Sequence, residues 1–143
     1  MKNPIKKRPK DAHKGLYGHI LIIGGDNGMP GAPCLAALGA AYMGAGLITV
    51  ATQPKHVLTV TYHLPEALSF GITTTKRLAF QKLLKQASAI VLGPGLGQSR
   101  WSKWLFKKTI THLSRHHVPC IIDADALNLL AQNSVAIKQL KKN

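Results

Sequence analysis

The sequence predicts an α/β domain with a mostly parallel sheet, and three observations carry that reading. Short aliphatic runs recur at His19-Ile20-Leu21-Ile22-Ile23, Leu47-Ile48-Thr49-Val50-Ala51-Thr52, Ala89-Ile90-Val91-Leu92 and Val118-Pro119-Cys120-Ile121-Ile122. They are too short for helices and too evenly apolar for strands with one wet face, so they read as strands buried between two layers. Segments of helical length separate them, and glycine or aspartate clusters stand immediately after three of the four. Strand, helix, strand is the βαβ unit, and its crossover is expected to be right-handed.

Bulk properties narrow the class. The 143 residues suffice for one domain with its own core, and a hydrophobic content of 45% excludes a disordered chain. No apolar run approaches the roughly 18 residues of a membrane span. The basic start, Met1 to Lys10, is not followed by a signal-peptide core, so the expected compartment is cytoplasmic, with no membrane partner. Cys34 and Cys120 lack CxxC or histidine spacing and read as buried free thiols. Lys and Arg number 19 against 5 Asp and Glu, a net charge of +14. Nucleic acid is the first partner such a balance suggests. However, the cations lie at both ends and on helix backs (Lys103, Lys107, Lys108, Arg115), with no recognisable nucleic-acid motif. A solvated surface, an anionic small molecule or an acidic partner chain explains them as well.

In chain order, residues 1–12 form a basic lead-in and residues 13–143 the domain. The first strand empties into Gly24-Gly25-Asp26-Asn27-Gly28-Met29-Pro30-Gly31, which is neither GxGxxG nor a P-loop. From Ala32 to Ala45 the small residues predict a helix lying close on the sheet, ended by Gly44 and Gly46. Residues 55–64 fit a short helix or a strand. Glu66, the lone acid between Asp26 and Asp123, reads as a solvated residue or as a ligand-capturing one. Lys76 to Ala87 is an amphipathic helix, with Phe80, Leu83, Leu84 and Ala87 inward.

Gly93-Pro94-Gly95-Leu96-Gly97 then joins a strand to a helix spanning about Ser99 to His116. Such a stretch is a tight turn, or a place where backbone N–H groups gather around an anion. Trp101, Trp104 and Leu105 share the core face of that helix, and His116-His117 reads as a solvated helix end rather than a metal site. Asp123-Ala124-Asp125-Ala126-Leu127-Asn128 follows a further buried strand, at the position where open α/β sheets bind ligands. Asp125 either caps the helix that follows or joins Asp123 in holding Mg²⁺ or a sugar hydroxyl. Ser134 to Asn143 is a basic, helix-like end.

Four motifs in this order, His13-Lys14-Gly15 with Tyr17-Gly18, Gly24-Gly25 to Gly31-Ala32, Gly93-Pro94-Gly95-Leu96-Gly97 and Asp123-Ala124-Asp125-Ala126-Leu127-Asn128, resemble the carbohydrate-kinase-like NAD(P)H-hydrate dehydratases. Gly44-Ala45-Gly46-Leu47 and Pro65-Glu66 fit the same pattern, and the resemblance covers residues 8–132. It implies a ribokinase-like three-layer α/β/α fold with a mostly parallel sheet. It further implies repair of damaged nicotinamide cofactor: dehydration of the S epimer of NADHX or NADPHX to NADH or NADPH. ADP, or ATP in eukaryotes, would act as phosphoryl donor with Mg²⁺, releasing AMP (or ADP) and phosphate.

By the same resemblance, Gly31 and Ala32 at the helix mouth, Gly95 and Gly97 in the glycine turn, and Asn128 are substrate-binding positions, while Asp123 and Asp125 lie in the metal region. The His-Pro-Gly-Glu, Lys-Gly and Gly-Asp motifs of the family do not occur, and the catalytic aspartate would lie beyond residue 143. The chain is therefore expected to be a truncated N-terminal half that pairs with a complementary C-terminal half or self-associates, exposing apolar surface where the other half docks. A non-catalytic basic module for nucleotides or nucleic acid, and another kinase of the ribokinase superfamily, are the alternative readings.

Overall fold

The computed structural model describes residue 9 and residues 11–140. The basic lead-in before these, and the last three residues of the expected C-terminal helix, lie outside the described residues.

Among the described residues five strands form one parallel sheet: β1 (His19–Ile23), β2 (Leu47–Thr52), β3 (Leu68–Gly71), β4 (Ala89–Leu92) and β5 (Cys120–Ile122), in the spatial order β3-β2-β1-β4-β5. The α-helices described with them are α1 (Gly31–Tyr42), α2 (Val57–His63), α3 (Arg77–Gln86), α4 (Arg100–Leu113), α5 (Ala124–Ala131) and α6 (Ser134–Leu140). Short 3₁₀ turns stand at Lys14–Tyr17 and Pro54–His56.

Alternation along β1 explains the three layers. Leu21 and Ile23 point into a core shared with Ile90, Leu92, Phe80, Leu84 and Leu105, beneath α3, α4, α5 and α6. Ile22 points the other way, into a smaller core with Ile48, Val50, Cys34, Ala37 and Val60, beneath α1 and α2. A strand buried on both faces has no polar side, and each fully enclosed Leu or Ile contributes about 1.5–3 kcal/mol.

The three-layer parallel architecture agrees with the sequence expectation, and β1 and β2 have the expected bounds. Three local readings change. The small-residue helix stops at Tyr42, because Gly44 takes a positive φ of 87° and its N–H turns back to the Ala41 carbonyl. Residues 57–63 are helical, and the next four residues after the Pro65 turn region, Leu68 to Gly71, form an edge strand that the sequence did not signal. Finally, β5 is an edge rather than a fully buried strand: β4 is its sole partner among the described residues, and Ile121 is 64% exposed. Leu35, Tyr42 and Met43 of the α1 region are also exposed. Among the described residues no helix is long and apolar enough to cross a membrane.

Candidate functional site

At the C-terminal edge of the sheet, the loops after β1 and β4 are bound together through main chain. The Gly25 N–H donates to the Pro94 carbonyl (3.1 Å), the Asp26 N–H to Gly95 (2.8 Å) and the Gly93 N–H to Ile23 (3.1 Å). The β1–β4 ladder thus continues past the strands. It can do so because no side chain intervenes: a Cβ on Gly24 would stand 1.9 Å from the Pro94 carbonyl oxygen. Gly93, at φ 133°, abuts the Asp123 carbonyl in the same manner.

This join brings the predicted positions together. Gly95 has φ 58°, and a Cβ there would lie 2.7 Å from the Met29 carbonyl oxygen and 3.3 Å from the Ala32 Cβ. The glycine turn therefore presses against the mouth of α1. Pro30 occupies the N-cap of that helix and offers no side-chain cap, while Gly31 and Ala32 are exposed, with open space around Gly31. Uncapped first-turn N–H groups beside a side-chain-free turn form a surface suited to an anionic or polar group.

Asp125, in the first turn of α5, closes the cluster. Its Oδ2 accepts the Gly97 N–H at 2.8 Å. The capping alternative therefore does not hold for Asp125, because Asp123 takes the N-cap position of α5 and its side chain makes no cap bond. Between the two aspartates, Ala124 has φ 43°, the single non-glycine residue at positive φ among the described residues. Strain of that kind is held in place by surrounding contacts and gathers at functional sites. Asn128 is exposed on α5, and no hydrogen bond ties it to the glycine turn among the described residues. Glu66 is also exposed, in the turn before β3 at the opposite edge of the sheet.

Sequence reasoning missed Asp26. This residue is 4% exposed, and its carboxylate accepts from the Asn27 N–H (2.8 Å), Gln53 Nε2 (3.0 Å) and the Ser102 hydroxyl (2.9 Å). His56 Nε2 approaches its carbonyl at 3.2 Å. Burial pushes the Asp26 carboxyl up, but hydrogen bonds from Ser99, the Asn27 amide, Gln53 and Ser102 together outweigh burial and hold it below its ordinary value. One carboxylate thereby joins the loops after β1 and β2 to the start of α4. Ser99 caps α4 by accepting the Ser102 N–H at 3.2 Å. The legible signal was an acid inside a glycine loop of a chain with only five acids.

Both cysteines are free, as expected, but only Cys34 is fully buried; Cys120, on the edge strand, is half-buried. Burial raises the Cys34 thiol and pushes Cys120 up to about 12, so neither supplies a thiolate nucleophile at neutral pH. Among the described residues, no group of three His, Cys, Asp or Glu side chains could hold a metal by itself.

A parallel sheet covered on both faces, with main-chain donors and carboxylates at the carboxyl ends of its strands, defines an α/β domain of the ribokinase-like class. A solved ribokinase-like superfamily protein from Enterococcus faecalis superposes with a TM-score of 0.82 at 30% identity, over 90% of this chain and 44% of that one. The family model described as NAD(P)H-hydrate dehydratase matches residues 20–143, and the chain belongs to that family. It is 47% identical over 129 residues to the bifunctional NAD(P)H-hydrate repair enzyme of Coxiella burnetii, covering 90% of this chain and 25% of that protein. The ADP-dependent (S)-NAD(P)H-hydrate dehydratase of Lactiplantibacillus plantarum is 43% identical over 132 residues, with coverages of 91% and 46%. The ADP/ATP-dependent NAD(P)H-hydrate dehydratase of Bacillus subtilis, co-crystallised with ATP/Mg²⁺, gives a TM-score of 0.67 at 30% identity over 86% and 43% of the two chains. The chain thus spans about half the length of the single-activity relatives it matches, or less.

Proposed function

We propose that this chain provides the substrate-binding wall of a site that dehydrates the S epimer of NADHX or NADPHX, with ADP or ATP as phosphoryl donor. The observation that carries the proposal is the meeting of Ala32, Gly95 and the Asp125–Gly97 bond at one point of the sheet edge. Phosphorylation of the ring hydroxyl, followed by loss of that oxygen as phosphate, restores the dihydronicotinamide and leaves AMP from ADP or ADP from ATP. In this reading the α1 mouth and the glycine turn orient the hydrated ring, because neither Ala32 nor Gly95 carries a side chain large enough to keep it off the backbone.

Asp123 and Asp125 fit Mg²⁺, which proteins hold through one or two carboxylates completed by phosphate oxygens and water. Asp123 is exposed and its side chain is not used in capping, while Asp125 stands in the first turn of the same helix. The ion would offset charge between two anionic partners. The nucleotide-binding wall is assigned to a complementary C-terminal half. Its docking place is the β5 edge, where Ile121 is bare.

The test is titration of the chain with the separated S and R epimers of NADPHX, followed by an NADPH-formation assay with ADP and Mg²⁺ in the presence of the complementary half. Preferential binding of the S epimer, weakened at least about tenfold by Ala32→Leu at the exposed helix mouth, is the expected result. Absence of S-epimer binding, together with no NADPH formed by the combined halves, would overturn the proposal.

A further inference from the structure

A groove between α3 and the last turns of α4 plays no part in the site above. It encloses about 490 Å³ and is walled by Lys85, Lys108, His112, Arg115 and His116. Among the described residues none of the chain's acids, Asp11, Asp26, Glu66, Asp123 and Asp125, lines this groove.

The His112 and His116 rings lie 4.5 Å apart, tilted by 33°, and His112 Nε2 is buried with no hydrogen-bond partner. Burial first, then His116 and Lys85, hold the His112 pKa below its ordinary value. Gathered positive charge without a counter-charge is repulsive, and an unpartnered buried nitrogen adds a desolvation cost. The repulsion is relieved by an anion with several acceptor oxygens. Because α4 runs back from the strand ends over 14 residues, this groove lies about 20 Å from the glycine turn.

We propose that the groove binds a compact polyphosphate, two or three linked phosphoryl groups either free or borne by a larger molecule. Arg115 offers a fork of donors that matches phosphate oxygens, Lys85 and Lys108 supply point charges, and protonated His112 and His116 each add a donor. The concave wall between two helices suits a short anion, whereas a nucleic-acid strand needs cations spread along a track. Affinity rises as pH falls through the histidine range, because the anion favours the charged form of His112 in the His112–His116 pair. The groups facing that pair are Lys85 from α3 and Lys108 and Arg115 from α4 and its following turn, all cationic.

The experiment is calorimetric titration of the full chain with inorganic triphosphate at near-physiological salt, at about pH 6 and about pH 8. Saturable one-site binding is expected, tighter at the lower pH by about threefold. Lys108→Gln combined with Arg115→Gln should weaken it about tenfold, while Lys103→Gln with Lys138→Gln should change it less than about twofold. Equal loss in both pairs would overturn the proposal, since that is the behaviour of an unstructured polycation. Absence of binding, or single-stranded RNA binding that triphosphate does not displace, would overturn it as well. Ring NMR gives a readout independent of the substitutions: triphosphate should raise the pKa of His112, and an unmoved His112 titration curve would sink the assignment.

Discussion

At the C-terminal end of the strands, a single carboxylate is 4% exposed and accepts hydrogen bonds from three directions, while main-chain amides bind two loops together. At the other end of α3 and α4, five cationic or titratable side chains share a groove with no acid among them. Three of the five acids, Asp26, Asp123 and Asp125, stand at the first end. In the two proposals above, the difference separates two kinds of anion recognition. One end is rigid and uses backbone donors whose positions are fixed by the ladder. The other uses long side chains whose mutual repulsion is stored in the fold until a ligand answers it.

The sharpest way to break this comparison is to crowd the rigid end. Gly24→Ala or Gly93→Ala places a Cβ 1.9 Å from a backbone carbonyl oxygen that cannot withdraw without opening the ladder. Either should cost more than about 4 kcal/mol in urea melts or leave no folded protein. Gly39→Ala, in open space on α1, should instead gain about 0.5–1 kcal/mol. Next, Asp26→Asn puts an amide donor where Gln53 and Ser102 already donate, and should cost about 2–3 kcal/mol.

A smaller effect of opposite sign is expected at Ala124. Replacement by glycine removes the penalty for a positive φ and should stabilise by about 1 kcal/mol. If the strained geometry aims Asp125 at Gly97, the same change should weaken binding of the S epimer. At the cationic end, Lys108→Glu should gain about 0.3–0.5 kcal/mol by removing one repelling cation and setting a carboxylate beside Lys85 and Arg115, and should abolish triphosphate binding. A loss of stability there would contradict the repulsion.

Titration supplies the last contrast. His19 and His112 both have folded pKa values below the unfolded one, chiefly through burial. The unfolded chain therefore binds more protons, so stability is full above the unfolded histidine pKa of about 6.5 and declines as pH falls below it. Melts should show Tm falling on acidification from neutrality, with His112→Gln flattening the slope. Triphosphate should oppose the fall by favouring the charged His112 ring.

How much of this was legible depended on how local each cause was. β1 and β2 were readable because five and six residues of apolar, β-branched sequence suffice to specify a doubly buried strand. β3 was not, since Leu68-Ser69-Phe70-Gly71 is short and keeps Leu68 and Phe70 exposed at the sheet edge. The glycine turn and the paired aspartates could be found because their chemistry is written within a few consecutive residues. The Asp26 assembly could not, because its partners lie 27 residues away at Gln53 and 76 residues away at Ser102. Only the folded sheet makes them neighbours.

The continuation of the β1–β4 ladder into glycine loops also bears on how the molecule breathes. The amides of Gly25 and Asp26, in loops by position, are held by cross-loop carbonyls in the manner of strand amides. They should therefore exchange with deuterium on the timescale of β1 rather than of the turn at Asn27-Gly28. The floor of the site would then open only when the centre of the sheet does.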